Sequence, residues 1–315
     1  MRVAIFADET GWHTRQLQAA LRARGAQGRC VDLADCRIDT GAAWHGLVIP
    51  GYGRELPDAA IVRGIAGGSF EQVTRRLGVL HALRELGVPV YNDARAIERS
   101  VDKAMTSQLL QAAGVPTPPT WCCESAAQAR RLVMAEGAAG RALVLKPLFG
   151  SQGKGLQLVG AVDGGHRALP ALEDGYGSVA YLQRFVPPRS DPGYDWRVLV
   201  VGGRAVAAMR RVSRHWVHNV AQGARCEPAP LGPGLAALAT LAEDAARTLG
   251  MDYAGVDILP AAAPTALLVI EVNGVAAWQG LQKVTPFNIA RALVDDLLDR
   301  RLARLRPQAD TACRA

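Results

Sequence analysis

At 315 residues the chain is long enough for two or three lobes rather than one small domain, and its 49% hydrophobic and 21% charged residues are ordinary for a globular protein. No apolar run approaches the roughly 18 residues of a membrane helix, and the N-terminus turns polar too soon for a leader, so a cytoplasmic protein is expected. The net charge of +7 is mostly dispersed arginine without interleaved aromatics, which excludes nucleic acid and membrane as expected partners but leaves small anions open.

The chain begins with "RVAIFAD", which has the pattern of a buried strand. An amphipathic helix follows from about Trp12 to Arg24 and stops at Gly25. "GLVIPGYG" is expected as the second strand, the spacing of Val73, Leu77, Leu80 and Leu83 predicts a helix ending at Gly87, and "VPVYND" is another strand. Strands alternating with helices imply a parallel sheet, so residues 1–95 are expected to form an α/β lobe. No GxGxxG follows the first strand, which argues against a dinucleotide there.

"SVDKAMTSQLLQAAG" predicts a helix closed by Gly114, then a proline-rich connector into new structure. "ALVLKP" and "LQLV" flank a glycine run, and "DWRVLVVGGRAVAAMRRV" predicts a hairpin turning at Gly202 and Gly203. A helix over 234–249, strands in "AGVDILP" and "ALLVIEVNG", and a last helix from about Phe287 to Leu305 complete the chain. Hairpins in this half imply antiparallel sheets. The expected boundaries are 96–188 and 189–306 for two α+β lobes, with 307–315 as a tail. The cysteines, Cys30, Cys36, Cys122, Cys123, Cys226 and Cys313, lack metal-ligand spacing and are expected as free thiols.

Three groups of residues carry chemistry. The stretch "KPLFGSQGKG" places Lys146 before Gly150, Ser151, Gln152, Gly153 and Gly155. It is not a Walker loop, because a strand rather than a helix follows. A glycine hairpin can instead fold its N–H groups over phosphates, with Lys146 as a point charge, although a plain hairpin with a solvated lysine fits the pattern as well. Asp257, Glu271 and Asn273 form the second group. Alternation puts Glu271 and Asn273 on one face, and pairing of the strands would add Asp257, an all-oxygen set suited to Mg²⁺, the alternative being a strand-end acid and a turn asparagine satisfied by backbone. The third group is Arg197, Arg210 and Arg211, of which at least one is expected to meet a transferring phosphoryl group, the alternative being surface ion pairs.

The order Lys103 in "DKAMTSQLL", "KPLFGSQGKG", "LQRFV", "DWRV", "AMRR", "HNVAQG", "GVDIL" and "EVNG" resembles the ATP-grasp superfamily and, within it, the RimK-type α-L-glutamate ligases. The resemblance implies an ATP-grasp fold, two antiparallel lobes clamping ATP behind an α/β lobe. It implies that Lys103, Lys146 and the loop Gly150–Gly155 contact the ATP phosphates, that backbone at Arg184 and Phe185 forms an adenine hinge near Gln183, and that Asp195 and Asn219 hold nucleotide or substrate. Asp257, Glu271 and Asn273 would ligate Mg²⁺, with Mn²⁺ as a substitute, and Arg210 or Arg211 would stabilise the acyl phosphate. Arg63, after "AAIV", would meet a substrate carboxylate, the plain alternative being a surface arginine.

Two departures concern the substrate. Val217 and His218 stand where the family commonly has arginine and serine, and "GVAAWQGLQ" stands where the ribosomal-protein-modifying members read Ser-Ser-Pro-Gly-Leu-Glu-Gly. The "AWQGLQ" ending resembles RimK-like ligases of one-carbon cofactor biosynthesis in methylotrophic bacteria. The expected activity is an ATP-dependent carboxylate–amine ligase adding L-glutamate to a pterin or furan cofactor precursor or to a protein C-terminus, working as a homo-oligomer. A phosphotransferase on the same fold would need one acceptor and form no amide. A non-catalytic nucleotide-binding regulator would release no ADP.

Overall fold

The computed structural model describes residues 1–41, 44–150, 152–229, 231–261 and 266–303. They form two compact units. The first comprises Met1–Arg95, Val275–Gln282 and residues 286–303; the second comprises Ala96–Gly274 and Lys283–Thr285. Ser151, Cys313 and the tail lie outside the described residues. No described helix is long and apolar enough to cross a membrane.

The first unit contains β1 (Arg2–Phe6), β2 (Gln27–Val31), β3 (Arg37–Ile38), β4 (Leu47–Val48), β5 (Ala59–Val62) and β6 (Val90–Tyr91). Its main sheet is parallel, in the order β2-β1-β5-β6. β1 is central, and Val3 to Phe6 are fully buried, because a parallel strand with covered faces needs apolar side chains on both. Leu17 and Leu21 of the helix Trp12–Ala23 are buried with them. The helix Phe70–Glu85 starts from a reciprocal Ser69–Gln72 cap and buries Val79, Leu80 and Leu83.

Two expectations are corrected here. "GLVIPGYG" does not supply a strand of the main sheet, since Leu47–Val48 pairs only with Arg37–Ile38 in a small hairpin. The place beside β1 belongs to "QGRCV", an edge strand whose half-exposed residues leave no apolar run to read. The last helix is also shorter at its start: Asn288 caps it, Ile289–Asp295 is helical, and Asp296–Arg301 widens into a π turn, while Leu305 lies outside the described residues.

The segment 275–282 is built into this unit. His13 Nε2 accepts the Trp278 backbone N–H at 3.1 Å, and Arg63 donates to the Ala276 carbonyl at 2.9 Å with its guanidinium 4.5 Å from the Trp278 ring centre. Burial, with Arg63 adding, pushes His13 down to about 4, so the imidazole stays neutral and able to accept.

The second unit begins with a break that the helical spacing concealed. Asp102 accepts from the N–H groups of Ala104 and Met105 and restarts the helix, which places Lys103 in the first turn of Lys103–Ala112. The proline-rich connector then enters a strand, β7 (Thr120–Cys123). With β8 (Ala142–Lys146), β9 (Gln157–Val162), β10 (Gly165–Arg167) and β11 (Ala180–Arg184) it makes an antiparallel sheet in the order β10-β9-β8-β11-β7, packed on Ala129 and Val133 of the helix Ala126–Ala138.

The other sheet contains β12 (Gly193–Val201), β13 (Arg204–Ser213), β14 (Arg225–Pro228), β15 (Tyr253–Pro260) and β16 (Leu267–Asn273), in the order β14-β13-β12-β15-β16, again antiparallel. The turn between β12 and β13 falls on Gly202 and Gly203, both at positive φ, as a tight hairpin requires. Val198, Val200, Val256 and Ile258 face the helix Ala236–Leu249 and pack on Leu238, Ala242 and Leu249. Period two then delivers Asp195, Arg197, Arg211 and Asp257 to the opposite face.

Ile258 is fully buried beside Asp257, so Ile258→Ala should cost about 2–5 kcal/mol. The urea midpoint should fall at constant slope. A midpoint unchanged within error would mean that the helix does not cover this face.

Candidate active site

Lys146 closes β8 and is pushed down to about 8 by desolvation between the pocket walls, with Glu271 working against that shift. Its ammonium donates to Gln183 Oε1 at 2.7 Å. Gln183, one strand over on β11, thus orients the lysine, a role its position in "LQRFV" does not reveal. Lys103 reaches the glycine loop from the other side, donating to the carbonyls of Leu148 at 3.3 Å and Gly150 at 2.8 Å, with Glu271 at 4.0 Å. Burial lowers its pKa as well.

The loop needs its glycines. Gly153 and Gly155 have φ of 69° and 71°. A Cβ at Gly153 would stand 2.9 Å from Val217, and one at Gly155 would stand 2.8 Å from the Pro147 ring. The loop is held by Gln222, which donates to the Gln152 carbonyl at 3.2 Å, and by the Tyr176 hydroxyl on the Gly155 carbonyl at 2.8 Å. Neither holder stands out in the sequence, because each lies far from the loop along the chain.

Beneath the loop a pocket is lined by Lys103, Lys146, Gly150, Gln152, Gly153, Gln183, Arg184, Phe185, Asp195, Arg211, Asn219, Asp257 and Glu271. Its apolar wall contains Val144, Leu156, Trp216, Leu259 and Ile270. Trp216, missed in the sequence, meets Phe185 edge-on at 5.8 Å. Asn219 uses Oδ1 to cap a short turn, accepting from Ala221 at 2.8 Å. At the expected hinge the N–H groups of Arg184 and Phe185 donate to the Pro119 and Ala142 carbonyls. The Arg184 guanidinium goes to Glu136 and lies over Trp121.

The oxygen cluster is arranged as alternation predicts. Asp257 lies opposite Glu271, and Gly255 opposite Asn273, so all three candidate ligands share one face of β15 and β16. Asn273 Nδ2 donates to the Gly255 carbonyl at 3.2 Å. Two carboxylates and one amide are a hard-cation donor set.

The arginines separate. Arg211 grips Asp195 through Nε at 2.7 Å and Nη2, and reaches Asp257 at 2.9 Å. Arg197 holds both oxygens of Asp257 and is absent from the pocket lining. Arg210 is not brought to this group: parity turns it to the other face, over the Tyr194 ring and on Glu227 at 2.7 Å. Arg63 belongs to the first unit, with the contacts described above.

The fold is that of ATP-grasp ligases. The RimK domain ATP-grasp protein of Sphaerobacter thermophilus superposes with a TM-score of 0.67, covering 95% of this chain and 100% of that one at 22% identity. The chain belongs to the RimK-like ATP-grasp family: residues 100–297 match the RimK-like ATP-grasp domain and residues 1–97 the RimK pre-ATP-grasp domain. It is an ATP-dependent carboxylate–amine ligase. Similar proteins include the tetrahydromethanopterin:α-L-glutamate ligase of Methanococcus maripaludis, 35% identical over 242 residues, 76% of this chain and 78% of that one. Another is the probable α-L-glutamate ligase of Aeromonas salmonicida, 32% identical over 305 residues, 94% and 96%.

A depressed lysine in the pocket predicts a pH dependence. Lysine is charged below its pKa, so Lys146 loses its proton as pH rises through about 8. The dissociation constant for ADP should therefore climb above pH 8, by about tenfold per unit while the bound ammonium stays charged. Lys146→Arg should remove the dependence in calorimetric titrations. A wild-type constant that is flat from pH 7 to 9.5 would take Lys146 off the phosphates.

Proposed function

We propose that the protein activates an acceptor carboxylate with ATP and joins it to the amine of L-glutamate. The observation that carries this reading is the convergence of Lys103 and Lys146 under a glycine loop, on a pocket that also contains Asp257 and Glu271. The acceptor carboxylate attacks the γ-phosphorus and ADP leaves. The glutamate amine then attacks the acyl carbon, inorganic phosphate leaves, and the nitrogen gives up a proton to form the amide.

Each part of this chain has a task in that sequence. Lys103 and Lys146 hold phosphate oxygens as compact charges, and the loop 150–155 closes over them to keep water from the acyl phosphate. Arg211, fixed by Asp195, presents a guanidinium to the transferring group. Asp257, Glu271 and Asn273 would hold Mg²⁺, or Mn²⁺ in its place, which supplies charge neutralisation when bound. The apolar wall with Phe185 and Trp216 suits the adenine ring. Arg210 and Arg63 are left out of the catalytic set, because their contacts are with Glu227 and Tyr194 and with the 276–278 segment.

For the acceptor we favour a small-molecule cofactor precursor of pterin type, in the cytoplasm. The similarity to ligases named for tetrahydromethanopterin supports that choice over a protein C-terminus. The test is product analysis with ATP, Mg²⁺, glutamate and either a reduced pterin carrying a free carboxylate or a peptide. One ADP and one phosphate should form for each glutamyl unit added to the pterin, and Glu271→Gln should abolish both. ADP formation without glutamate incorporation, with a phosphorylated acceptor instead, would replace the ligase reading of the site by a kinase. Glutamyl transfer to the peptide alone would overturn the acceptor class.

A further inference from the structure

The carboxylate assigned to the metal already has partners. Asp257, 3% exposed, receives Nε and Nη2 of Arg197, the latter at 3.0 Å, while Arg211 Nη2 stands 2.9 Å from Oδ2. Strand register produces this arrangement: Arg197 lies opposite Asp257 on β12 and β15, and Asp195 opposite Arg211 on β12 and β13. Two acids and two guanidinium groups make a neutral set. A carboxylate offers about four lone-pair sites, and three are taken. A divalent cation drawn to the remaining site meets two guanidinium groups on the same carboxylate, and displacing one of them relieves that repulsion and frees a second oxygen lone pair.

We infer that Arg197 and the metal are alternative partners of Asp257, so that metal binding releases the Arg197 fork toward the phosphoryl group. This rests on the reading of Asp257 as a metal ligand. Which arginine yields follows from what each would keep. Arg211 retains a two-point hold on Asp195 when Asp257 lets go. Arg197 has no second acid partner among the ion pairs of the described residues. Its strand face is shared with Asp195, a residue of the pocket wall.

The electrostatics give the exchange a purpose. With both arginines on the acids, the four-membered group adds no net charge to the pocket. A divalent cation on Asp257 makes the group positive and frees a planar donor pair that matches a phosphate edge. Metal and phosphate then favour each other's binding by the same factor in both directions. Arg197 also becomes available to the transferring group only when the cation is in place, which ties the charge-stabilising residue to the loaded site.

The test uses nucleotide-free protein and Mn²⁺, followed by the electron paramagnetic resonance signal of the free ion, in the wild type, Arg197→Gln, Arg197→Lys and Asp257→Asn. Arg197→Gln should bind Mn²⁺ at least tenfold more tightly than the wild type, Arg197→Lys should fall between them, and Asp257→Asn should lose the binding. Arg197→Gln within twofold of the wild type, with Asp257→Asn still losing the ion, overturns the exchange and leaves Asp257 a ligand. Mn²⁺ binding unchanged in Asp257→Asn overturns the metal reading and the exchange with it. Should Arg197→Gln fail to fold, the wild type answers alone. Nitrogen-15 arginine spectra, assigned with Arg197→Lys, should lose the Arg197 Nε–H signal to solvent exchange as Mg²⁺ is added while the Arg211 signal persists. Persistence of both at saturating Mg²⁺ overturns the proposal.

Discussion

Two acids and two guanidinium groups can occupy the inner face of a sheet only together. Asp195, Asp257 and Arg211 are each at most 4% exposed, and any one of them stripped of its partners would leave a buried charge at a cost of about 3–5 kcal/mol. The pairing demands one register across β13, β12 and β15. A slip of one residue would turn all four toward the helix Ala236–Leu249 and turn Val198, Val256 and Ile258 away from it. The charge network and the apolar core therefore specify the same alignment from opposite faces. The two acids also show what the number of partners does. Burial, the largest effect on each, raises Asp195 against the single guanidinium of Arg211, whereas two guanidinium groups outweigh it at Asp257 and hold that carboxyl low.

The loop depends on the same face through Glu271. That carboxylate sits opposite Asp257 and 4.0 Å from Lys103, and Lys103 holds two carbonyls of the glycine loop. A path of ion pairs and hydrogen bonds thus runs from the sheet to the loop. Among the described residues, the side-chain hydrogen bonds that hold the loop use its carbonyls: Lys103 on Leu148 and Gly150, Gln222 on Gln152, Tyr176 on Gly155. The loop's own N–H groups are the part that phosphate would need. Fastening by carbonyl and binding by N–H can coexist.

Much of this could be read from the residues, because alternation and turn chemistry act locally. The glycine loop around Gly153 and Gly155, the hairpin at Gly202 and Gly203, and the shared face of Glu271 and Asn273 each follow from a few adjacent positions. What stayed hidden depends on neighbours. "QGRCV" is a strand because β1 lends it hydrogen bonds, not because its side chains prefer one. Arg210 and Arg211 are chemically equal in the sequence, and only the parity of β13 sends one to the pocket and the other to Glu227. Gln183 lies next to the expected hinge in sequence, and only the pairing of β11 with β8, which sets it opposite Val144, brings its side chain within reach of Lys146. The N–H groups of Arg184 and Phe185 could not be known as spent without the strand ends that spend them.

The segment after "EVNG" carries its departure from the family motif on a buried ring. Its departure from the motif of the ribosomal-protein-modifying members centres on Trp278, and an exposed indole there would suggest a stacking platform for a flat acceptor such as a pterin. The structure puts that ring at 1% exposure, in T-shaped contact with Trp12 and His13 and with Arg63 over it. A ring so enclosed has no face left for a ligand. His13 accepts the Trp278 N–H only while neutral, which its depressed pKa secures across the physiological range. Trp278 therefore acts by fixing the path of the backbone from Ala276 to Gly280, and any selectivity it confers must pass through the neighbours that it places. Gln279, exposed and next in sequence, is the first side chain that this placement controls.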